Sequence, residues 1–368
     1  MSNPPTTPSH RAKSRLSRRG VIGAAGAVAA GAALSPMVFA ATESGGSTTS
    51  TAGTKTEKFP ATRSKEATGA GAATVAFPVN YVGLRWTGDQ DGAGIRFADA
   101  WQDVKGDGCA SVNLDGGGTA LMAAANATAY DVKVPDGATD VRSLAIDTKG
   151  GPQRSGAVPA DTTRVRGVAY LSRAAWGADE SLRFKADGTE NSPTKYYPAQ
   201  VLTVHHTDTP NGDPDPAATV RAIYQYHAIT NDWGDIGYHF LIDEAGRIYE
   251  GRYSGDDGIP AHDKDGNVVT AFHTGGYNSG NLGIALLGTL VDQGPTDAAR
   301  SSLTRLIAVL SRFHGLDPQA KVTYVNPVNG VTKDVTTVGG HRDWMATDCP
   351  GATMYALLDD VRKAAAKP

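Results

Sequence analysis

An imidazole and a thiol, His341 and Cys349, frame the stretch Gly339-Gly340-His341-Arg342-Asp343-Trp344-Met345-Ala346-Thr347-Asp348-Cys349-Pro350-Gly351. Its glycines and proline mark a loop, and a nitrogen and a soft sulfur donor so close together can share one metal ion. All but one of the nine histidines lie between His205 and His341; the exception, His10, sits in a leader. His205 and His206 end the apolar run Val201-Leu202-Thr203-Val204, which reads as a buried strand and supplies a further nitrogen donor. Three protein donors and a position left for water define a catalytic zinc site, since a structural one would call for two more cysteines. Such a centre suits hydrolysis of an amide. The competitor is a disulfide between Cys109 and Cys349, which an exported chain could form, leaving the histidines without a shared role. Cys109 otherwise reads as a buried small apolar residue.

Elements must bring these donors together. Asp215-Pro216 supplies an N-cap and a first-turn proline for a helix whose Val220, Ile223 and His227 share one face. A loop over 231–237 leads to a hairpin, 238–243 and 247–251, that turns at Glu244-Ala245-Gly246. Residues 282–287 are apolar enough for a central strand, 297–314 and 352–365 read as amphipathic helices, and 335–338 as a strand leading into His341. The alternation predicts an α/β fold over 165–368, a mixed central β-sheet flanked by helices. Ahead of it, short apolar runs between 74 and 148, broken by turn signals such as Pro135-Asp136-Gly137, predict a small all-β, sandwich-like accessory domain. Residues 149–164 read as a linker, and 41–73, rich in Ser, Thr, Gly and Ala, as a disordered tether.

Residues 1–40 read as an export signal of the twin-arginine type. Arg11, Lys13, Arg15, Arg18 and Arg19 come without an acid, followed by an apolar run from Gly20 to Leu34 and a small-residue cleavage site. The run is too short and too rich in Gly and Ala for a membrane span, which takes about 20 strongly apolar residues. No stable span is expected after cleavage, and the mature chain is expected to be a monomer, secreted or held at the cell wall. The formal net charge of the 368-residue chain is −3. Loss of the leader takes it to about −8, which excludes nucleic acid as a partner, because phosphate binding needs a basic face.

Several motifs recur in a fixed order: Val204-His205-His206-Thr207, Asp235-Ile236-Gly237-Tyr238-His239-Phe240, His273 with Gly275-Gly276-Tyr277-Asn278, Leu282-Gly283-Ile284, and Gly340-His341-Arg342-Asp343 through Cys349-Pro350-Gly351. On these motifs residues 165–366 resemble the zinc-dependent N-acetylmuramoyl-L-alanine amidases of type 2, a family that includes peptidoglycan recognition proteins and phage amidases. The resemblance implies Zn2+ on His205, His341 and Cys349, Tyr238 close to the attacking water, and Thr347 near the developing oxyanion. It also implies a groove for a peptidoglycan or muropeptide substrate, with His206 and Thr207 beside the metal, His227 on the helix, and His273 and Asn278 on the far wall. The implied reaction is cleavage of the amide between N-acetylmuramic acid and L-alanine by an exported zinc hydrolase. The alternative is a recognition protein that binds peptidoglycan without hydrolysing it; a third reading is a disulfide-linked, β-rich adhesin.

Blander roles stay open for several residues. His227 could be a satisfied core histidine and Asn278 the shaper of a Gly-rich turn. His239 alternates with Tyr238 along a strand and reads as structural, and His314 ends a surface helix, where a cation is favoured. The stretch His262-Asp263-Lys264-Asp265-Gly266-Asn267 lacks the ligand series and closing Glu of a calcium loop and reads as a hairpin turn. Glu250-Gly251-Arg252-Tyr253-Ser254 departs from the Gly-Arg-Gly-Trp of many animal relatives, so their sorting of stem peptides does not carry over.

Overall fold

The structure, a computed structural model, describes residues 53–105, 116–160, 163–256 and 258–367. The export signal expected over 1–40, the start of the tether and Cys109 lie outside the described residues. At the centre is a mixed five-stranded sheet in the order Ile248–Glu250, Phe240–Ile242, Asn281–Leu286, Val201–His206, Val338–Gly340. Its pairings are parallel except for the hairpin, where Phe240 faces Glu250. Val201–His206 is buried along its whole length, as a strand covered on both faces must be.

Alternation along that strand sends Leu202 and Val204 to one face and Val201, Thr203 and His205 to the other. The first face packs on helix Asp297–His314, capped by the Thr296 side chain, whose Leu303, Leu306, Ile307 and Leu310 form an apolar stripe. The expected C-terminal helix is there but breaks at Leu357 into Ala352–Ala356 and Leu358–Ala365. The second face is covered by helix Pro216–Gln225, where the Asp215 carboxylate accepts from Ala218 N–H and Val220 and Ile223 turn inward. That helix widens into a π turn, Tyr226–Thr230, which carries His227. The strand expected at 335–338 is divided: Thr332–Thr336 pairs with an unforeseen strand, Lys321–Val325, and only Val338–Gly340 joins the central sheet.

The N-terminal part carries an antiparallel six-stranded sheet in the order Arg63–Thr68, Thr139–Asp147, Gly71–Thr87, Gly118–Lys133, Ala93–Phe97, Ala100–Val104. One face gathers Val82, Leu84, Trp86, Ile95 and Val132 into a cluster of its own. The other sets Tyr81, Leu144 and Ile146 against Ala222 and Tyr226 of the helical layer. The expected sandwich of two facing sheets is not what the described strands form, because the second face of this sheet packs on the α/β part instead. Two segments expected to be loose also pair with each other. Thr54–Pro60, within the tether, lies antiparallel to Gln153–Pro159, within the linker. Both are mostly solvated on both faces, so main-chain bonds hold them and no hydrophobic period marks them in the sequence.

Candidate metal centre

Parallel pairing brings the two histidines together. Val204 is paired with Gly340, so the next residue on each chain, His205 and His341, emerges at the same carboxyl end, with rings 4.6 Å apart. The loop then folds back, Arg342 N–H donating to the Cys349 carbonyl at 3.0 Å, and sets Cys349 Sγ 3.6 Å from His205 Nδ1. Gly351 permits this return: its φ is +87°, and a Cβ there would stand 2.1 Å from the Leu290 carbonyl oxygen. One donor atom from each of the three buried residues lies within 4.8 Å of the others. Zinc ligands at tetrahedral angles, about 2.1 Å (nitrogen) and 2.3 Å (sulfur) from the ion, stand roughly 3.4–3.7 Å apart. The Cys349–His205 separation and the two-nitrogen, one-sulfur donor set fit that ion.

A buried chain of hydrogen bonds fixes how His205 is turned. Its Nε2 is 3.0 Å from His273 Nδ1, and His273 Nε2 is 3.0 Å from the Asn281 carbonyl oxygen. A carbonyl only accepts, so His273 carries its proton on Nε2 and offers the Nδ1 lone pair, which both His205 Nε2 and the Thr274 hydroxyl, at 2.9 Å, approach; a His205 protonated on Nε2 turns its Nδ1 lone pair toward Cys349. Both rings must be neutral for this. Burial pushes His273 down to about 3, and burial followed by the neighbouring His341 holds His205 well below the usual imidazole range. The His273 ring lies on Gly283, where a Cβ would come within 2.6 Å of it. His206 N–H donates to Cys349 Sγ at 3.4 Å, a contact that favours the thiolate.

A cavity of about 360 Å³ opens beside these donors, lined among others by Tyr238, His227, His206, Thr207 and Thr347. The Tyr238 ring is 5.3 Å from that of His205 and 5.5 Å from that of His227. Tyr238 is aimed by the turn before it, where the Asp235 carboxylate is held by buried Arg173 at 2.9 Å and accepts the Tyr253 N–H. Nothing in the sequence pointed to Arg173, which lies some sixty positions earlier. His227 accepts Gly237 N–H on Nδ1 at 3.0 Å, so Nε2 carries the proton; burial, then Arg252, lowers its pKa to about 3. It is at once a buried, bonded histidine and part of the cavity wall. Thr347 Oγ1 accepts the Cys349 N–H at 3.2 Å, and Thr207 Oγ1 accepts that of Gly288 at 3.1 Å. His206 turns its imidazole to the other side of the strand, where Nδ1 accepts Leu290 N–H at 3.1 Å.

Two expected wall residues lie elsewhere. His273 stands behind His205, away from the cavity lining, because Gly283 makes room for its ring against the sheet. Asn278 shapes the turn: its Oδ1 accepts the N–H groups of His273 at 2.9 Å and Thr274 at 2.7 Å. His239 is structural, accepting Gly283 N–H and donating to the Val269 carbonyl. Asp263 accepts the N–H groups of Asp265 and Asn267, the pattern of a turn, and His314 pairs with His262, their Nε2 atoms 2.9 Å apart.

A mixed sheet that delivers two histidines and a cysteine to one end, beside a tyrosine-lined cavity, makes a group of donors that could hold a metal ion. The family described as N-acetylmuramoyl-L-alanine amidase matches residues 195–352. A human relative named N-acetylmuramoyl-L-alanine amidase is 31% identical over 165 residues, 44% of this chain and 24% of that one. Peptidoglycan-recognition protein SA of Drosophila melanogaster is 34% identical over 165 residues, covering 44% of this chain and 67% of that one. Among solved structures, Drosophila PGRP-LB is 26% identical, with a TM-score of 0.38 over 52% of this chain and 92% of that one. The chain belongs to the family of N-acetylmuramoyl-L-alanine amidases and peptidoglycan recognition proteins. It spans about a quarter of the length of the mammalian amidases it matches.

Proposed function

We propose that the chain is an exported zinc amidase that hydrolyses the bond between the lactyl group of N-acetylmuramic acid and L-alanine in peptidoglycan. The observation that carries this reading is the convergence of His205, His341 and Cys349 beside the cavity. A module that only recognises wall fragments needs the cavity but has no use for a two-nitrogen, one-sulfur donor set. Zinc held by these three residues would supply Lewis acidity to a water and to the amide carbonyl.

The remaining work falls to side chains. Tyr238 orients the attacking water and takes part in moving its proton toward the leaving amine. Thr347 donates its hydroxyl to the oxygen of the tetrahedral intermediate; such a donor is worth roughly 10²–10³ in kcat. The Nε2 proton of His227 faces the substrate as a fixed donor, since Nδ1 is committed to Gly237. Cys349→Ala tests the reading: bound zinc and amide hydrolysis are expected to be lost together while the fold persists. Full turnover by a metal-free Cys349→Ala variant would sink it. A wild type that binds muropeptide and zinc without cleaving would move the chain to the recognition class.

A further inference from the structure

The cavity has a wall that none of the ordered motifs supplies. Leu121 and Met122, on strand Gly118–Lys133 of the N-terminal sheet, line it together with Asp103 and Lys105 from the end of the sheet's edge strand. The sheet is tied to the site: Lys105 Nζ is 2.8 Å from Asp348 Oδ2, next to Cys349 in the metal loop, and Thr119 donates to Asn231 Oδ1 at 2.8 Å. Along the edge strand Ala100–Val104, alternate residues share a face, so Lys105, Asp103 and Trp101 form one track leading outward from the cavity. From Lys105 to Trp101 the track runs roughly 13 Å.

Trp101 is the exposed end of this track, with 40% of its surface in solvent. Arg96, its cross-strand partner, and Lys133 hold cations 4.9 and 5.1 Å from the ring, and Asp103 is 3.9 Å from Lys133. With two cations over its ring, an acceptor beside them and much of its surface still open to solvent, the indole offers what a pyranose needs, an apolar surface for its C–H face and charged partners for its hydroxyl rim. We propose that the edge strand is a saccharide track, with Trp101 as the stacking platform for the glycan whose lactyl amide enters the cavity. Trp101 is then a specificity-determining residue, and the N-terminal sheet is one side of the substrate cleft. The proposal rests on the amidase reading only for the identity of the bond cleaved.

The probe is a peptide-free oligosaccharide of alternating N-acetylglucosamine and N-acetylmuramic acid, titrated calorimetrically into the full chain. Wild type is expected to bind it, Trp101→Ala to lose at least 10-fold in affinity, and Trp101→Phe to lose less. Phe184→Ala, which removes an exposed aromatic ring outside the cavity lining, is expected to bind as wild type does. Equal binding by wild type and Trp101→Ala, no binding by wild type, or displacement of the oligosaccharide by a stem peptide alone would overturn the proposal. Alanine release from cell wall by a wild type that ignores the oligosaccharide would leave the amidase reading standing and remove this one. Trp101-dependent binding with no alanine release would do the reverse.

Discussion

His273 backs the nitrogen of His205 that faces away from the cysteine. Its ring stands against Nε2 of His205 and passes its own proton to the Asn281 carbonyl, so removing it strips a buried nitrogen of His205 of its partner and leaves that ring free to turn. His273→Ala is therefore expected to weaken zinc binding about 10–100-fold in a chelator competition; unchanged affinity would show that the tautomer is fixed in another way. The convergence of His205, His341 and Cys349 was legible in the sequence because donor type and motif order suffice to group candidate ligands. The place of His273 was not, since a histidine on the groove wall and one backing a ligand look alike until Gly283 is seen beneath the ring. His227 carries the pH prediction at this scale. Its pKa is about 3 folded against about 6.5 unfolded, so the unfolded chain binds the proton first on acidification. Its contribution is complete above pH ~6.5 and is lost as the pH falls toward 3, costing about 2 kcal/mol between pH 6.5 and 5. His227→Gln should flatten that limb of a urea-midpoint-against-pH curve by one proton, and an unaltered slope would contradict it.

The elements act through register. Because Val201–His206 is parallel to Val338–Gly340, two residues far apart in sequence leave the sheet side by side, and the loop need only return Cys349 to them. That return hinges on Gly351, where both the positive φ and the Leu290 carbonyl exclude a side chain. Gly351→Ala is expected to destabilise the fold by about 2 kcal/mol or more and to reduce bound zinc. A thermal midpoint and zinc content equal to wild type would refute the hinge. Helix Asp297–His314 was readable to its ends because Thr296 caps it and Gly315 closes it in the left-handed region. The division of 335–338 was not readable, because a hairpin partner at Lys321–Val325 competes for the strand and only three-dimensional pairing decides between them.

At the scale of the molecule, the N-terminal sheet and the α/β part lie within one compact unit, Ala41–Pro368, and share a buried layer in which Tyr81, Leu144 and Ile146 cover Ala222 and Tyr226. A fragment starting at residue 165 would expose that layer, so it is expected to aggregate or melt several degrees below the chain that begins at 53; equal midpoints would restore an independent accessory domain. The sequence marked strands here but not their partner surface, since a face apolar enough to be buried does not say what buries it. No helix of the described residues is long and apolar enough to cross a membrane. The central claim, that the three donors serve hydrolysis, is tested most directly by counting alanine amino termini released from purified peptidoglycan by the protein before chelation, after it, and after zinc is restored. The account predicts new termini, their loss with the chelator and their return with zinc. No alanine termini from the zinc-loaded protein, or release indifferent to the chelator, would contradict it.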